Sequence, residues 1–128
     1  IPFGTGSLGL SFSVLNTLFD GDLVKVASLL SINPARLLGL HPERGTLAPG
    51  RAANIAVVDR ERLYDYSRSP LTGSDHSLFE GISLRGEVVT TVMRGRPAFH
   101  ENRVLLETGS GKFVERKRVF WGDRSAAE

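Results

Sequence analysis

Three histidines, His41, His76 and His100, are the side chains best suited to acid–base work or metal ligation, and each stands alone in the sequence. No His-x-His, no His-Glu-x-x-His and no run of carboxylates occurs, so no standard metal constellation can be built from neighbouring positions. His41 follows an expected helix C-terminus, where the dipole favours a cationic imidazole. His76 adjoins Asp75 in a polar loop and could act as a general base only against an oriented substrate. His100 ends an expected strand. A structural role is the plainer reading of all three. No serine sits in a nucleophile elbow. There is no cysteine, which excludes a thiolate nucleophile, a thiolate metal site and a disulfide framework. The stretch Ile1-Pro2-Phe3-Gly4-Thr5-Gly6-Ser7 has two glycines but no Lys-Ser/Thr pair, so it reads as a loop entering a helix rather than a phosphate cradle. The residues thus offer no catalytic group and no metal ligand of their own.

The elements around these residues follow from periodicity. Leu8, Phe12, Leu15 and Phe19, widened by Val14 and Leu18, have the 3.6-residue period of an amphipathic helix over 8–19. Asp20-Gly21-Asp22 interrupts it, and Asp22 is placed to cap a second helix over 23–30 with Leu23, Val26, Ala27 and Leu30 on one face. Asn33 reads as the cap of a third helix with Pro34 at its first position, and Gly39 as its left-handed stop. Pro49-Gly50 is a turn pair. Beyond it the period changes to two. Ile55 to Val58 form a strand closed by Asp59, Leu63, Tyr64 and Tyr66 are anchors in a polar stretch, and 67–79 is a long polar loop. Residues 87–93 form a β-branched strand, Gly95 a tight turn, Pro97 an edge position, and 104–106 one more short strand.

These elements divide the chain at the helix-to-strand seam. Residues 1–44 form helices too few to enclose a core, so they should lean on a larger body. Residues 45–107 form a small antiparallel sheet or half-sandwich, and 108–128 form a tail. Phe113, Phe120 and Trp121 in that tail are expected to dock on another surface, such as a second subunit. The 128 residues are 41% hydrophobic and 23% charged, a globular composition, with a net charge of +2. That charge, and a basic run at 115–118 that carries a glutamate and no interleaved aromatics, exclude a nucleic-acid partner as an expectation. No apolar run nears the ~18 residues of a membrane span, and no basic-then-apolar leader opens the chain. A cytoplasmic protein is expected. Ile1 in place of Met suggests that the chain starts inside a longer one.

Four segments resemble the C-terminal third of cyclic amidohydrolases, most closely the hydantoinase/dihydropyrimidinase group, to which dihydroorotases and allantoinases are related. Ile1-Pro2-Phe3-Gly4 is similar to the loop after the last barrel strand. Asn33-Pro34-Ala35-Arg36-Leu37-Leu38-Gly39-Leu40-His41-Pro42-Glu43-Arg44-Gly45-Thr46-Leu47 resembles the family's seam. Ala48-Pro49-Gly50 through Val58-Asp59 resembles its return strand. Phe79-Glu80-Gly81, with Arg85-Gly86-Glu87 through Arg94-Gly95-Arg96, resembles a further segment. The glycine-bearing Gly109-Ser110-Gly111-Lys112-Phe113 favours the hydantoinases.

The resemblance implies an α/β fold: the last outer helices of a (β/α)8 metal-dependent hydrolase barrel, followed by a small β-sandwich domain at 45–107. It implies hydrolysis of a ring C–N amide bond in a hydantoin- or dihydropyrimidine-like substrate. In the family, a pair of divalent metals, typically zinc, is bridged by a carbamylated lysine and supplies the attacking hydroxide. Those ligands lie upstream of Ile1 in the family, so this fragment should bind no metal and be inactive alone. Phe3 and Gly4 match the positions whose backbone holds the cyclic substrate, Gly4 by letting the chain approach closely. Hydantoinases often have Asn where Phe3 stands. Ser7-Leu8-Gly9 replaces the family's Gly-x-Glu, and Asn54 replaces an aspartate of the return strand. The alternative is a non-catalytic amidohydrolase-like structural or oligomerisation module; a free-standing β domain with a helical extension is a third reading. Family members are often tetramers, so a homo-oligomer is expected.

Overall fold

The computed structural model describes residues 8–41, 43–66 and 77–116. A 3-10 turn, Leu8–Leu10, leads into α1 (Ser11–Leu18). A left-handed Asp20 (φ 49°) then turns the chain, with Asp20 N–H donating to the Thr17 carbonyl and Gly21 N–H to the Asn16 carbonyl. Aspartate is among the few L-residues that visit this conformation readily. Asp22 caps α2 (Leu23–Ala27) as its sequence position implies, its carboxylate accepting from Lys25 N–H at 3.0 Å.

The third helix is not a separate element. α2 runs through a π-helical stretch, Ser28–Ile32, straight into α3 (Asn33–Leu37). Asn33 has helical φ and ψ of −66° and −46°, so it caps nothing. The physical reason lies in Pro34. Within a continuous helix it can donate no N–H to the turn before it, and a π turn there accommodates the lost bond. The stop signal at Gly39 is as read: φ is +67°, Leu40 N–H reaches the Ala35 carbonyl at 2.7 Å and Gly39 N–H the Arg36 carbonyl at 3.1 Å. Gly45 then lies against this helical run, where a Cβ would meet that of Ala35 at 2.6 Å.

The β elements form one antiparallel sheet in the order β1 (Ile55–Asp65), β2 (Ser83–Met93), β3 (Arg96–His100) and β4 (Arg103–Val104). Asp59 does not end the first strand. The ladder skips instead, with Asp59 opposite Glu87 and Leu63 opposite Arg85. Asp59 Oδ1 accepts from the N–H groups of Glu61 and Arg62, which turns the skipped stretch back into register. Arg94 and Gly95, at φ 50° and 77°, make the expected tight hairpin, and Glu101 and Asn102 make a second that sequence reading missed. The last strand is Arg103–Val104 rather than 104–106. Pro97 pairs with Val92 on one side only, since β4 reaches no further than Phe99.

The sheet's covering layer among the described residues is α1, not a second sheet. Leu10, Tyr66 and Leu84 form a small core, flanked by Val14, Tyr64 and Phe79. Two expected faces need correction. Along the 3-10 turn and α1 the buried positions are Leu10, Ser13 and Asn16, while Leu8 and Leu18 are 91% and 69% exposed. On the second helical run Val26 is buried but Ala27 and Leu30 are exposed. Of the three anchors in the polar stretch, Tyr66 is buried, Tyr64 half-buried and Leu63 exposed.

Candidate functional site

The described residues build a polar seam between α1 and the sheet. Asn16 is completely buried, and its Nδ2 donates to the carbonyls of Arg60 at 3.1 Å and Arg85 at 2.9 Å. Both partners are acceptors, so the amide must present its NH2 to them, and Asn16 Oδ1 is left buried without a partner. The next residue and the turn before continue the seam. Arg85 N–H donates to Thr17 Oγ1 at 2.8 Å, and the Thr17 hydroxyl donates to the Ser13 carbonyl at 2.7 Å. The Tyr64 hydroxyl donates to Ser13 Oγ at 3.0 Å. Gly86 makes the approach possible, because a Cβ there would lie 2.7 Å from Asn16 Nδ2 and 2.8 Å from Phe12 Cε1.

An exposed ionic cluster borders this seam. The Arg85 guanidinium pairs with Glu61, donating through Nε at 3.1 Å and through a second, shorter contact, and approaches Asp20 at 3.4 Å. Arg60 Nε adds a bond to Glu61 at 2.8 Å. Hydrogen bonds from Arg85 and then Arg60 hold the Glu61 carboxyl below the usual carboxylate range, and Glu61 pushes Arg85 up in turn. On the sheet, Arg62 pairs with Glu87 at 2.9 Å beside a shallow pocket that Val88, Val89, Glu101 and Asn102 also line.

Among the described residues, those singled out in the sequence are not brought together. Phe3 and Gly4 lie outside the described residues, seven and six positions before Leu10, as do His76, Phe120 and Trp121. His100 Nδ1 lies 2.8 Å from Thr90 Oγ1 across β2 and β3, a strand-pair contact. His41 follows the Gly39 stop, with its backbone N–H on the Ala35 carbonyl. Asn54 Oδ1 accepts from Arg94 N–H at 2.9 Å, so it holds the entry to β1 on the first hairpin. Arg94 in turn donates to the Ser110 carbonyl at 2.6 Å and ties the start of the tail, while Phe113 stands 94% exposed. Among the described residues no three His, Cys, Asp or Glu side chains group to hold a metal ion. These residues therefore do not fit a resident metal pair, and no chemical step through one is assigned to them. The polar seam was missed in the sequence. Its signal was a serine and an asparagine three apart inside a helix, residue types that helix interiors disfavour.

The comparisons agree on one family. The amidohydrolase family model matches residues 9–98. D-phenylhydantoinase of Escherichia coli O1:K1 / APEC is 33% identical over 96 residues, which cover 74% of this chain and 21% of that protein. Among solved structures, D-hydantoinase from Bacillus sp. AR9 superposes with a TM-score of 0.78 at 26% identity, over 85% of this chain and 25% of that one. D-hydantoinase (dihydropyrimidinase) from Thermus sp. gives 0.75 at 28% identity, over 82% and 24%. The chain thus spans about a fifth to a quarter of the length of these relatives. With more than half its length matched by the family model and its fold shared with D-hydantoinases, the chain belongs to the amidohydrolase family, as a hydantoinase-like segment.

Proposed function

We propose that this chain is the C-terminal part of a metal-dependent cyclic amidohydrolase that hydrolyses a ring C–N amide bond in a hydantoin- or dihydropyrimidine-like substrate. The observation that carries the reading is the likeness to D-hydantoinase over 85% of this chain but 25% of that one. The parts of the protein that hold the divalent metals, zinc or another, are then in the remaining length. Three units follow: 1–44 as the terminal loop and helices of a (β/α)8 barrel, 45–107 as strands that complete a small β-sandwich domain, and 108–128 as a tail.

In this reading the present residues bind and position. The backbone at Phe3 and the close approach at Gly4 line the substrate site, and α1 is the stem that follows them. The exposed Val24, Leu29, Leu30, Leu37 and Leu38 of the helical run support a larger body packed against it. The exposed Phe113 supports a homo-oligomeric contact through the tail. No helix among the described residues is long and apolar enough to cross a membrane.

Reading the coding sequence upstream of Ile1 tests this. The expected result is an in-frame segment of ~300 residues, enough for the rest of a barrel, with His-x-His, a lysine, two further histidines and an aspartate just before Ile1. A barrel without those ligands would overturn the catalytic reading and leave a structural or oligomerisation module.

A further inference from the structure

We infer that Arg44 anchors this chain to the rest of the protein: its guanidinium takes a carboxylate carried by the body that packs on the helical run. The inference rests on the reading that the protein's remaining length covers that run, and it names a polar contact in the interface. Arg44 stands in the turn after α3 and is held there by backbone bonds. Its N–H donates to the Leu40 carbonyl at 3.1 Å. The carbonyl of Gly45 accepts from Ser31 Oγ at 3.0 Å, and Gly45 lies against Ala35 and Ile32 of the run too closely for a Cβ. Arg44 as a whole is half-buried, and its Nε is closed off from water with no hydrogen-bond partner among the described residues.

A guanidinium so placed has lost part of its hydration. An arginine at a free surface keeps its charged head and its five N–H donors in water. A partly desolvated cation is stable where a counter-charge offsets the loss. Arg60, Arg62 and Arg85 have that counter-charge in Glu61 and Glu87, whereas Arg44 is in no such pair among the described residues. Apolar side chains flank it along the chain: Leu37, Leu38 and Leu47 are all exposed. A held arginine between exposed leucines has the composition of an interface. The occupant follows from length. The likeness to D-hydantoinase covers 85% of this chain but 25% of that one, which leaves a larger body to cover the run. Its docking strips the remaining water from the guanidinium, and a carboxylate on the outer nitrogens replaces that water with a charge-assisted pair.

Thermal melts of the 128-residue chain and of the protein extended upstream of Ile1 test this side by side. Arg44→Met keeps the stem and removes the charge. In the extended protein it should lower Tm by about 4 °C or more, since it breaks a covered ion pair. In the 128-residue chain, where Nε is unpaired, it should leave Tm within about 1 °C or raise it. Arg44→Lys keeps the charge without the planar fork and should lower Tm of the extended protein by a smaller amount. If Arg44→Met does not fold when extended, Arg44→Lys decides. Arg44 changes that shift both proteins equally, or neither, overturn the inference. So does an Arg44→Met that dissociates a dimer of the 128-residue chain in sedimentation, which would give the surface to a second copy. Leu37→Gln separates the inference from the reading beneath. If both proteins tolerate it, no body covers the run, and the reading and the inference fall together. If it lowers Tm in the extended protein alone while Arg44→Met does not, the role of Arg44 alone is overturned.

Discussion

Gly86→Ala is the sharpest perturbation of this fold. The position has φ +95°, and a Cβ there would lie 2.7 Å from Asn16 Nδ2 and 2.8 Å from Phe12 Cε1. Gly50 supplies the matched control, with φ +80° and nothing within 4 Å of an added methyl. Placing an L-residue in this conformation costs about 1–2 kcal/mol, and that is the whole effect expected at Gly50. At Gly86 the methyl must also push α1 away from the sheet. Both neighbours are side chains of one helix that the seam holds in place, so the cost resembles overpacking, about 1–3 kcal/mol more. The sum is about 2–5 kcal/mol for Gly86→Ala. At ~3–5 °C per kcal/mol for a chain of this size, its Tm falls by roughly 6–25 °C, against at most about 10 °C for Gly50→Ala. Urea and thermal melts followed by circular dichroism measure both. Asn16→Ala in the Gly86→Ala background should cost less than the two changes added, because the smaller side chain makes room for the methyl. Equal destabilisation by Gly86→Ala and Gly50→Ala would refute the claim that the strand and helix are in close contact at this point.

Three further changes probe separate parts of the structure. Asp22→Ala should destabilise by about 0.5–2 kcal/mol through loss of the α2 cap, and hydrogen exchange should rise at Lys25 before it rises in β2. Tyr64→Phe removes the bond to Ser13 and should cost about 0.5–1.5 kcal/mol in a urea melt. The Glu61 carboxyl is held below its usual range by Arg85 and then Arg60. A carboxylate depressed in the folded state adds stability above its unfolded value of about 4.3, and loses it as pH falls through the folded value. Glu61→Gln should therefore flatten the acid limb of stability below about pH 4.3 and leave stability near pH 7 little changed, because exposed ion pairs contribute little; NMR titration of Glu61 and melts across that range test it.

Signals carried within a few residues were legible in the sequence. Asp22, Gly39 and the Arg94-Gly95 turn act as their residue types dictate, because a cap or a left-handed stop is satisfied by backbone three to five positions away. The misread elements depend on partners far along the chain. Asn33 has the local pattern of a cap, yet the helix before it simply continues. Asp59 has the local pattern of a strand end, but pairing with β2 carries the strand past it. The burial of Ser13 and Asn16 could not be read from α1 itself, since their partners Tyr64, Arg60 and Arg85 lie 44 to 69 residues away. For the site the balance is reversed. Phe3 and Gly4 came from likeness to a family, and the described residues neither include them nor hold a metal group. What the structure adds is the seam that fixes the helix following them.

Ring opening is the most direct test of the central claim. Loss of hydantoin and of dihydrouracil should be followed for the protein extended upstream of Ile1 and for the 128-residue chain, each equilibrated with zinc. The account predicts that the extended protein opens at least one ring and that the 128-residue chain does no more than free zinc at the same concentration. Hydrolysis by the short chain above that level, or none by an extended protein that is folded and carries its metals, would contradict it.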